Sequence, residues 1–348
     1  MKQAEEQYQN LYKLKPEPVT TPEIQGYDFN QGIDYEALLK SYANFGLQAS
    51  QLSTAIDLVN KMIHWRLGPN EDNDDPNTRC TIFLGYTSNM VSSGNRDIIR
   101  YLAQHKMIDA IVTTAGAIEE DLMKCISTFH KGDWQANDKE IRLKAICRIG
   151  NIYVPAANYG KLEDWLMPVF QEMYKEQKEK GTIWSPQSMI KRFGERINDE
   201  RSIYYWCAKN DIPVYCPALT DGAIGDMMFY FNYKYEGFIC DILQDVVQLN
   251  KKAMYAKKSG LIILGGGVVK HHIMNANIWR NGADWAVFIN TGIQYDGSDA
   301  GAKPSEGITW GKLRIDAEYV KVFSEATLVF PLLVAQTFAK NFDEAKRV

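Results

Sequence analysis

The chain has 348 residues, 45% of them hydrophobic, and a formal net charge of −4 at pH 7. This length and apolar content can bury a sizeable core and exclude a largely disordered chain, and the acidic balance argues against a nucleic-acid-binding protein, which usually carries a basic face. The six cysteines are scattered without a C-x-x-C spacing, so neither a disulfide framework nor a metal site is predicted.

The first residues, MKQAEEQYQNLYKLKPEP, contain no apolar signal segment. No later run approaches the roughly 18 apolar residues that a membrane span requires. Scattered cysteines of this kind are typical of a reducing compartment. We therefore expect a soluble, cytoplasmic protein with no membrane partner and no nucleic-acid partner.

The chain divides near residue 24. Residues 1–24 are polar, contain three prolines and show no clear period, which predicts a mobile arm or an arm that packs on a neighbouring subunit. A helical pattern begins at Asp34, and its apolar face consists of Leu52, Ile56, Val59 and Ile63. The acidic segment 68–79 does not have the spacing of a calcium loop, so we expect a solvated surface loop there.

Five continuous apolar runs follow, each succeeded by a longer helical or loop segment. They are CTIFLGYT (80–87), IDAIVTT (108–114), IPVYCPAL (212–219), GLIILGG (260–266) and ADWAVFIN (283–290). Such runs predict parallel strands buried on both faces. The predicted fold is therefore α/β, a doubly wound, mostly parallel, Rossmann-like sheet with a helical N-terminal extension. We expect residues 25–348 to form one domain, with a covering helical insertion around residues 162–180.

The predicted strands end in polar or glycine-rich segments, at the edge where α/β sheets bind ligands. These segments are 87–94, 113–120, 220–226 and 265–272. Each has an ordinary explanation: serines cap helices, glutamates in a first helical turn compensate the helix dipole, and glycines form tight turns. Four such ends on one edge nevertheless predict a nucleotide-using α/β protein, without identifying its substrate.

The stretch DGSDAGAKPSEGITWGK, residues 296–312, combines three acids with a lysine beside a tryptophan. Its acids, Asp296, Asp299 and Glu306, are dense enough to hold a cationic ligand. If Trp310 excludes water from Lys312, the ammonium is disfavoured and a neutral amine becomes available as a nucleophile. A solvated acidic loop with an ordinary surface lysine is the alternative.

Several long motifs together resemble the deoxyhypusine synthase family, from residue 25 to the C-terminal helix. They are GYTSNMVSSG (85–94), TTAGAIEEDL (113–122), PALTDGAIGD (217–226), the segment 261–291 beginning LIILGGGVVKHH, and the segment 314–340 beginning RIDAEYVKVF. The resemblance implies an enzyme that uses NAD to dehydrogenate spermidine and parks the aminobutyl group as an imine on a lysine. It then passes this group to one lysine of the translation factor 5A precursor, and the imine is reduced before release.

The resemblance also implies the site residues. The imine-forming lysine is Lys312, and His271 is the acid/base candidate, since histidines titrate near neutral pH; a hydrogen-bonding, orienting role is its alternative. The implied spermidine pocket consists of Glu119, Glu120, Asp226, His271, Gly297, Ser298, Asp299, Glu306 and Trp310. The implied NAD contacts are Ser88, Asn89, Met90, Val91, Ser92, Thr114, Ala115, Gly116, Glu120, Asp221, Gly266, Thr291, Gly292, Glu325 and Ala326. Carboxylates for the amines and an aromatic wall for the methylenes suit an extended polycation.

Three positions depart from the family pattern, namely Ala300 where serine is common, Gly292 where alanine is common and Glu325 where aspartate is common. These three departures affect the expected affinity for ligands more than the family assignment. The family also implies a homotetramer with sites across a dimer interface, and we expect the arm 1–24, with the helix from Asp34, to lie over a neighbouring entrance. Two alternatives stay open. A non-catalytic regulatory paralogue should have lost its lysine or acids, which this chain retains, and a homospermidine synthase would use putrescine as acceptor.

Overall fold

The computed structural model describes residues 1–11, 18–68 and 78–347. Most of the predicted acidic loop 68–79 and residues 12–17 of the predicted arm lie outside these residues. Within the arm, Lys2–Leu11 form a helix that the lack of a clear period did not predict.

The described strands are β1 (Thr81–Tyr86), β2 (Ala110–Thr113), β3 (His130–Lys131), β4 (Ile146–Ile149), β5 (Ile152–Pro155), β6 (Val214–Tyr215), β7 (Ser259–Leu264), β8 (Ala283–Asn290) and β9 (Leu313–Phe323). A central sheet has the order β6-β2-β1-β7-β8-β9, and every pairing in it is parallel. The predicted doubly wound fold is therefore confirmed. The order in which the chain adds strands reverses at β1, with β2 and β6 on one side and β7, β8 and β9 on the other, so the switch point where such sheets bind ligands lies between β1 and β7.

The helices flank this sheet. They are α1 (Lys2–Leu11), α2 (Tyr35–Ser41), α3 (Leu47–His64), α4 (Asn89–Ser92), α5 (Asn95–Gln104), α6 (Ala115–Ile126), α7 (Asp138–Leu143), α8 (Ala157–Lys180), α9 (Pro186–Ile197), α10 (Ile203–Lys209), α11 (Ala223–Lys234), α12 (Ile242–Met254), α13 (Gly267–Asn277), α14 (Glu306–Thr309), α15 (Ala326–Val334) and α16 (Phe342–Ala345). Short 3₁₀ turns cover Phe29–Gln31, Tyr42–Asn44, Ile278–Arg280 and Gln294–Asp296, and a π-helical turn covers Ala335–Ala339.

Alternate side chains of each central strand enter two different cores, as the pleat requires. On β1, Leu84 belongs to the core that also contains residues of α3, α5 and α15, and its neighbour Phe83 belongs to the second core, with residues of α12 and α13. The predicted apolar face of α3 lies in the first core: Leu52, Val59 and Ile63 are buried, and Ile56 is partly buried. Because both faces are covered, the strands read as continuous apolar runs.

Two parts of the fold were not predicted from apolar runs. β9 alternates charged and apolar residues because it is an edge strand, so it lacks the continuous run that marks its neighbours. A small antiparallel sheet, β3-β5-β4, lies within the long insertion between β2 and β6, and its strands are too short to show a period.

The cysteines all carry free thiols: Cys80, Cys207 and Cys216 are buried, and Cys125, Cys147 and Cys240 are half-buried. In the described part of the chain, no three His, Cys, Asp or Glu side chains are grouped to hold a metal ion. No helix among the described residues combines the length and apolar character needed to cross a membrane.

Candidate active site

The crevice at the carboxyl edge of the sheet opens at the switch point between β1 and β7. Gly265, which follows β7, has φ +96°, and a Cβ there would meet Thr87 Oγ1 at 2.8 Å. Only glycine permits this close approach. The crevice encloses about 100 Å³. Its lining includes five of the predicted cofactor residues, and consists of Thr87, Asn89, Met90, Leu264, Gly265, Ile289, Asn290, Thr291, Ser324, Glu325 and Ala326.

Ser88 connects this crevice to the end of β2. Its backbone N–H donates to Thr114 Oγ1 at 3.1 Å. A Cβ on Gly116 would meet Ser88 Oγ at 3.1 Å and Glu120 Oε1 at 3.7 Å, so Gly116 lets these two polar side chains lie side by side. Ser92 Oγ donates to Glu120 Oε2 and to the carbonyl oxygen of Ser88 at 3.2 Å. The predicted cofactor residues on α4 and α6 are therefore brought together.

Beside them, Glu119 and Glu120 form a buried acidic pair, each 7% exposed. Burial raises the pKa of Glu119, against a hydrogen bond of 3.1 Å from the backbone N–H of Ile224. Burial also raises the pKa of Glu120 to about 7, although Ser92 donates to it. Asp226, exposed in the first turn of α11, adds to the raised pKa of Glu119 by repulsion. A cationic ligand here would stabilise the ionised acids.

The expectation that Glu119 and Glu120 occupy a first helical turn is wrong. α6 begins at Ala115, so both acids lie in its second turn, with Thr114 as N-cap. They are also buried, so compensation of the helix dipole at the surface does not account for them. Asp221 is exposed two residues before α11, whose first turn carries Asp226.

The connection 291–312 runs from the carboxyl end of β8 back to the amino end of β9 and contacts α13 on the way. The buried Lys270 of α13 donates to the carbonyl oxygen of Asp299. A Cβ at Gly266 would overlap Ala300. The packing of this connection therefore requires glycine at position 266, in addition to any contact with a cofactor.

The three acids of the connection differ in their surroundings. Asp299 Oδ2 is buried without a hydrogen-bond partner among the described residues. Asp296 accepts from Ser298 N at 2.7 Å, and hydrogen bonds from Ser298 lower the pKa of Asp296. Glu306 accepts from Lys303 N at 3.3 Å. Asp296 is thus a turn residue, whereas one buried carboxylate oxygen of Asp299 has no hydrogen-bond donor in the described chain.

Lys312 lies at the amino edge of the sheet. Its carbonyl oxygen accepts from Ala283 N at 3.0 Å, at the first residue of β8, and its Nζ lies 5.8 Å from the centre of the Trp310 ring. Trp310 is 69% exposed. Within a single chain, the condition that Trp310 excludes water from Lys312 is therefore not met, because the indole itself faces solvent.

A single chain does not bring Lys312 to the acidic pair. Four strand spacings separate β9 from β2 in the sheet order, and Lys312 and the two glutamates belong to opposite edges. Neighbouring strands lie about 4.8 Å apart, so Lys312 and the carboxyl end of β2, which leads to Glu119 and Glu120, are separated by roughly 20 Å or more. Lys312 is instead close enough to Lys270 for its charge to contribute to the lowered pKa of Lys270.

The remaining predicted pocket residues lie on the Lys312 side. His271 is exposed on α13 next to Lys270, and its half-buried neighbour His272 has a pKa lowered by burial and by His271. Gly297 and Ser298 are exposed in the connection 291–312. The predicted spermidine pocket is thus divided into two groups, one with Glu119, Glu120 and Asp226, and one with the other predicted residues.

Two lysines that contact the connection 291–312 were not identified by any sequence motif. Lys270 bonds carbonyl oxygens of the connection, and Lys321 on β9 donates to the carbonyl oxygens of Gly292 at 2.7 Å and of Gly301 at 3.2 Å. Because their acceptors are backbone atoms, no partner residue type marks them in the sequence. The only signal is their own position, a lysine at an inward-facing place on a helix or strand.

The fold and the site define a class of protein: a doubly wound α/β enzyme with a polar crevice at its switch point and buried acids beside it. A family model for deoxyhypusine synthase matches residues 37–337. The chain belongs to the deoxyhypusine synthase family, and the family and enzyme class predicted from its motifs are confirmed.

Curated relatives and a solved structure agree with this assignment. The chain is 52% identical to deoxyhypusine synthase of Arabidopsis thaliana, over 92% of this chain and 91% of the relative. It is 55% identical to the Dictyostelium discoideum protein named "Probable deoxyhypusine synthase", over 92% and 87%. A crystal structure of a candidate deoxyhypusine synthase from Entamoeba histolytica superposes with a TM-score of 0.70 at 39% identity, covering 93% of this chain and 99% of that one.

Proposed function

We propose that this chain transfers the aminobutyl group of spermidine to one lysine of the translation factor 5A precursor, with NAD as cofactor. Beyond the family, the observation that carries the proposal is Asp299, whose buried and unpaired carboxylate oxygen lies in the same connection as Lys312. A buried carboxylate without a donor is costly in an unliganded chain. An ammonium group of a polyamine supplies the missing donor.

The crevice at the switch point suits a dinucleotide. Its polar lining comes from strand ends and helix starts, as in other doubly wound sheets. Ser88, Ser92 and Glu120 form a connected polar group along its edge, and Glu325 caps α15 at its far side. These residues would hold NAD, which would supply the hydride chemistry: an acceptor for a hydride from a spermidine carbon next to nitrogen and, once reduced, a donor of a hydride to the product imine.

Lys312 supplies the nucleophile. Its neutral amine attacks the imine carbon of dehydrogenated spermidine, the C–N bond to diaminopropane breaks, and the diamine leaves with a proton. The acceptor lysine then attacks the carbon of the Lys312 imine and displaces Lys312 as a free amine. We assign to His271, which is exposed beside Lys270, the acceptance and return of these protons, and to Asp299 the binding of an ammonium end of the substrate.

We propose that each site forms between two chains of a homotetramer. Glu119 and Glu120 lie far from Lys312 within one chain, so a polyamine that contacts both groups needs a second copy. Large apolar side chains are exposed both on α11, which carries Asp226, and beside Lys312, and exposed apolar surface of this kind suits an interface. They include Phe229 and Tyr233 on α11, Leu243 on α12, Tyr255 just after α12, Trp279 in the 3₁₀ turn after α13, and Trp310. We also propose that the enzyme works in the cytoplasm.

One incubation tests the reaction. The protein is mixed with NAD, spermidine labelled in its butyl carbons, and either the factor 5A precursor or putrescine. We expect label on the precursor and release of diaminopropane. Label found only in homospermidine would support the homospermidine synthase alternative, and absence of spermidine cleavage in either mixture would support a non-catalytic paralogue.

A further inference from the structure

The segment 292–301 is a closed loop whose two ends touch. A Cβ on Gly301 would overlap the carbonyl oxygen of Ile293, and a Cβ on Gly292 would lie 2.9 Å from Gly301 N. The backbones of the two ends are therefore in direct contact, a geometry typical of compact loops that carry function. Neither end tolerates a side chain without moving the other.

A single ammonium group joins these ends. Lys321 Nζ, reaching from β9, donates to Gly292 O at 2.7 Å and to Gly301 O at 3.2 Å. Among the described residues it forms no ion pair with a carboxylate within 4 Å, so backbone carbonyls are its main acceptors. Burial lowers the pKa of Lys321, and Asp296 opposes this shift. A half-buried cation with these acceptors can hold the two ends of the loop together. We call the contact between Gly292 and Gly301 the neck of the loop.

The interior of the loop is ordered from this neck. Asp296 accepts from Ser298 N at 2.7 Å, Ser298 Oγ accepts from Gly301 N at 3.1 Å, and Ser298 O accepts from Ala302 N at 3.0 Å. From the side of α13, Lys270 binds the carbonyl oxygens of Asp299 and Ala302. Lys270 therefore holds the backbone at Asp299 and Lys321 holds it two residues further on, at Gly301, while the Asp299 carboxylate keeps an unpaired buried oxygen.

We propose that Lys321 is a positioning residue for polyamine binding: it closes the neck of the loop 292–301 and thereby fixes the Asp299 carboxylate that receives an ammonium group. The assignment rests on the proposed function for its substrate and on the loop geometry for its mechanism. Lys321 does not act as a second nucleophile, because its Nζ is engaged with two carbonyls. Its loss should weaken spermidine binding without impairing NAD binding or the chemistry at Lys312.

The experiment compares Lys321→Met with Lys303→Met, in the full-length protein. Lys303 lines the same cavity of about 260 Å³ as Lys321, but its Nζ makes no hydrogen bond to the loop carbonyls in the described chain. The control therefore removes the same charge from the same place and leaves the neck intact. Gly301→Ala is the second variant, since its Cβ would open the neck while Lys321 remains.

For Lys321→Met and Gly301→Ala we expect the KM for spermidine to rise about tenfold or more, the effect of losing one charge-assisted contact. The Kd for NAD should stay within about twofold, and kcat at saturating spermidine within about threefold. Lys303→Met should change none of these values. An unchanged KM for Lys321→Met, or a fall in kcat with KM unchanged, would overturn the proposal.

Hydrogen exchange of the unliganded protein separates this proposal from the proposed function. The amides of Gly301 and Ala302 should exchange faster in Lys321→Met than in wild type and Lys303→Met. Equal exchange would overturn the neck role even if KM rises. If wild type does not bind spermidine, the proposed function fails, and the exchange difference still decides whether Lys321 closes the loop.

Discussion

The crevice at the switch point and the connection 291–312 are both polar, and they differ in how many of their polar groups have partners within one chain. In the crevice, Glu120 is paired with Ser92, Asn290 bonds Gly265 and Gly292, and Glu325 caps α15. In the connection, Asp299 has an unpaired buried oxygen and Trp310 is 69% exposed. Polar groups of the crevice, where we propose that NAD binds, thus find partners in their own chain, whereas the proposed partners of Asp299 and Trp310 are a polyamine and a second chain.

The strongest test of this contrast is Lys312→Arg. Arginine keeps the charge, but its delocalised guanidinium stays protonated and is a poor nucleophile. Transfer to the factor 5A precursor should fall at least about 10³-fold, and the Kd for NAD should be nearly unchanged. Borohydride added during turnover should trap label on Lys312 of wild type and on no residue of the variant. Trapped label on Lys270 or Lys303 would refute the assignment.

A matched pair of acids sharpens the contrast within the connection. Asp299→Asn removes the charge that awaits an ammonium, so the KM for spermidine should rise roughly 10- to 100-fold. Asp296→Asn alters an exposed turn acid that bonds Ser298 N, and KM should change less than about threefold. Steady-state kinetics with saturating NAD measures both. Equal effects of the two substitutions would mean that the burial of Asp299 has no bearing on binding.

The raised pKa of Glu120 predicts how activity and stability depend on pH. Its pKa is raised to about 7, so kcat/KM for spermidine should fall as pH decreases below about 7, because the protonated acid no longer attracts a cation. Stability should change in the opposite sense. Between about pH 4.5 and 7 the folded chain binds more protons than the unfolded chain, so stability falls as pH rises, by at most roughly 3 kcal/mol.

Glu120→Gln is the control for the effect on stability. The variant should lose this part of the pH dependence of unfolding, measured by denaturant titration at several pH values. Identical stability curves for wild type and Glu120→Gln between pH 4.5 and 7 would show that burial of this carboxyl does not perturb its titration.

The smallest expected effect concerns the arm. Deletion of residues 1–24 should lower activity modestly, about two- to fivefold, if the arm covers the entrance of a neighbouring site, because an uncovered site retains substrate less well. Activity assays and light scattering on the deletion variant check this. Unchanged activity and an unchanged oligomeric state would show that the arm has no role at the entrance of a neighbouring site.

The sequence predicted the sheet better than the path between its strands. Apolar runs located five strands and placed polar strand ends on one edge, because burial on both faces leaves a continuous apolar signal. The sequence did not predict that Lys312 lies at the amino edge of the sheet, opposite the edge that carries Glu120. That separation depends on the route of a long connection, whose backbone contacts with Lys270 and Lys321 are not encoded in any partner residue type.

The most direct test of the central claim, that the two halves of the site come from different chains, is complementation between two inactive variants. Lys312→Ala and Glu120→Ala are coexpressed with different tags, and hybrid assemblies that contain both are purified. If the site crosses the interface, one site of each hybrid dimer is intact, and about half of the wild-type transfer rate should return. If the hybrid is as inactive as either parent, Lys312 and Glu120 act within the same chain, which would contradict the account.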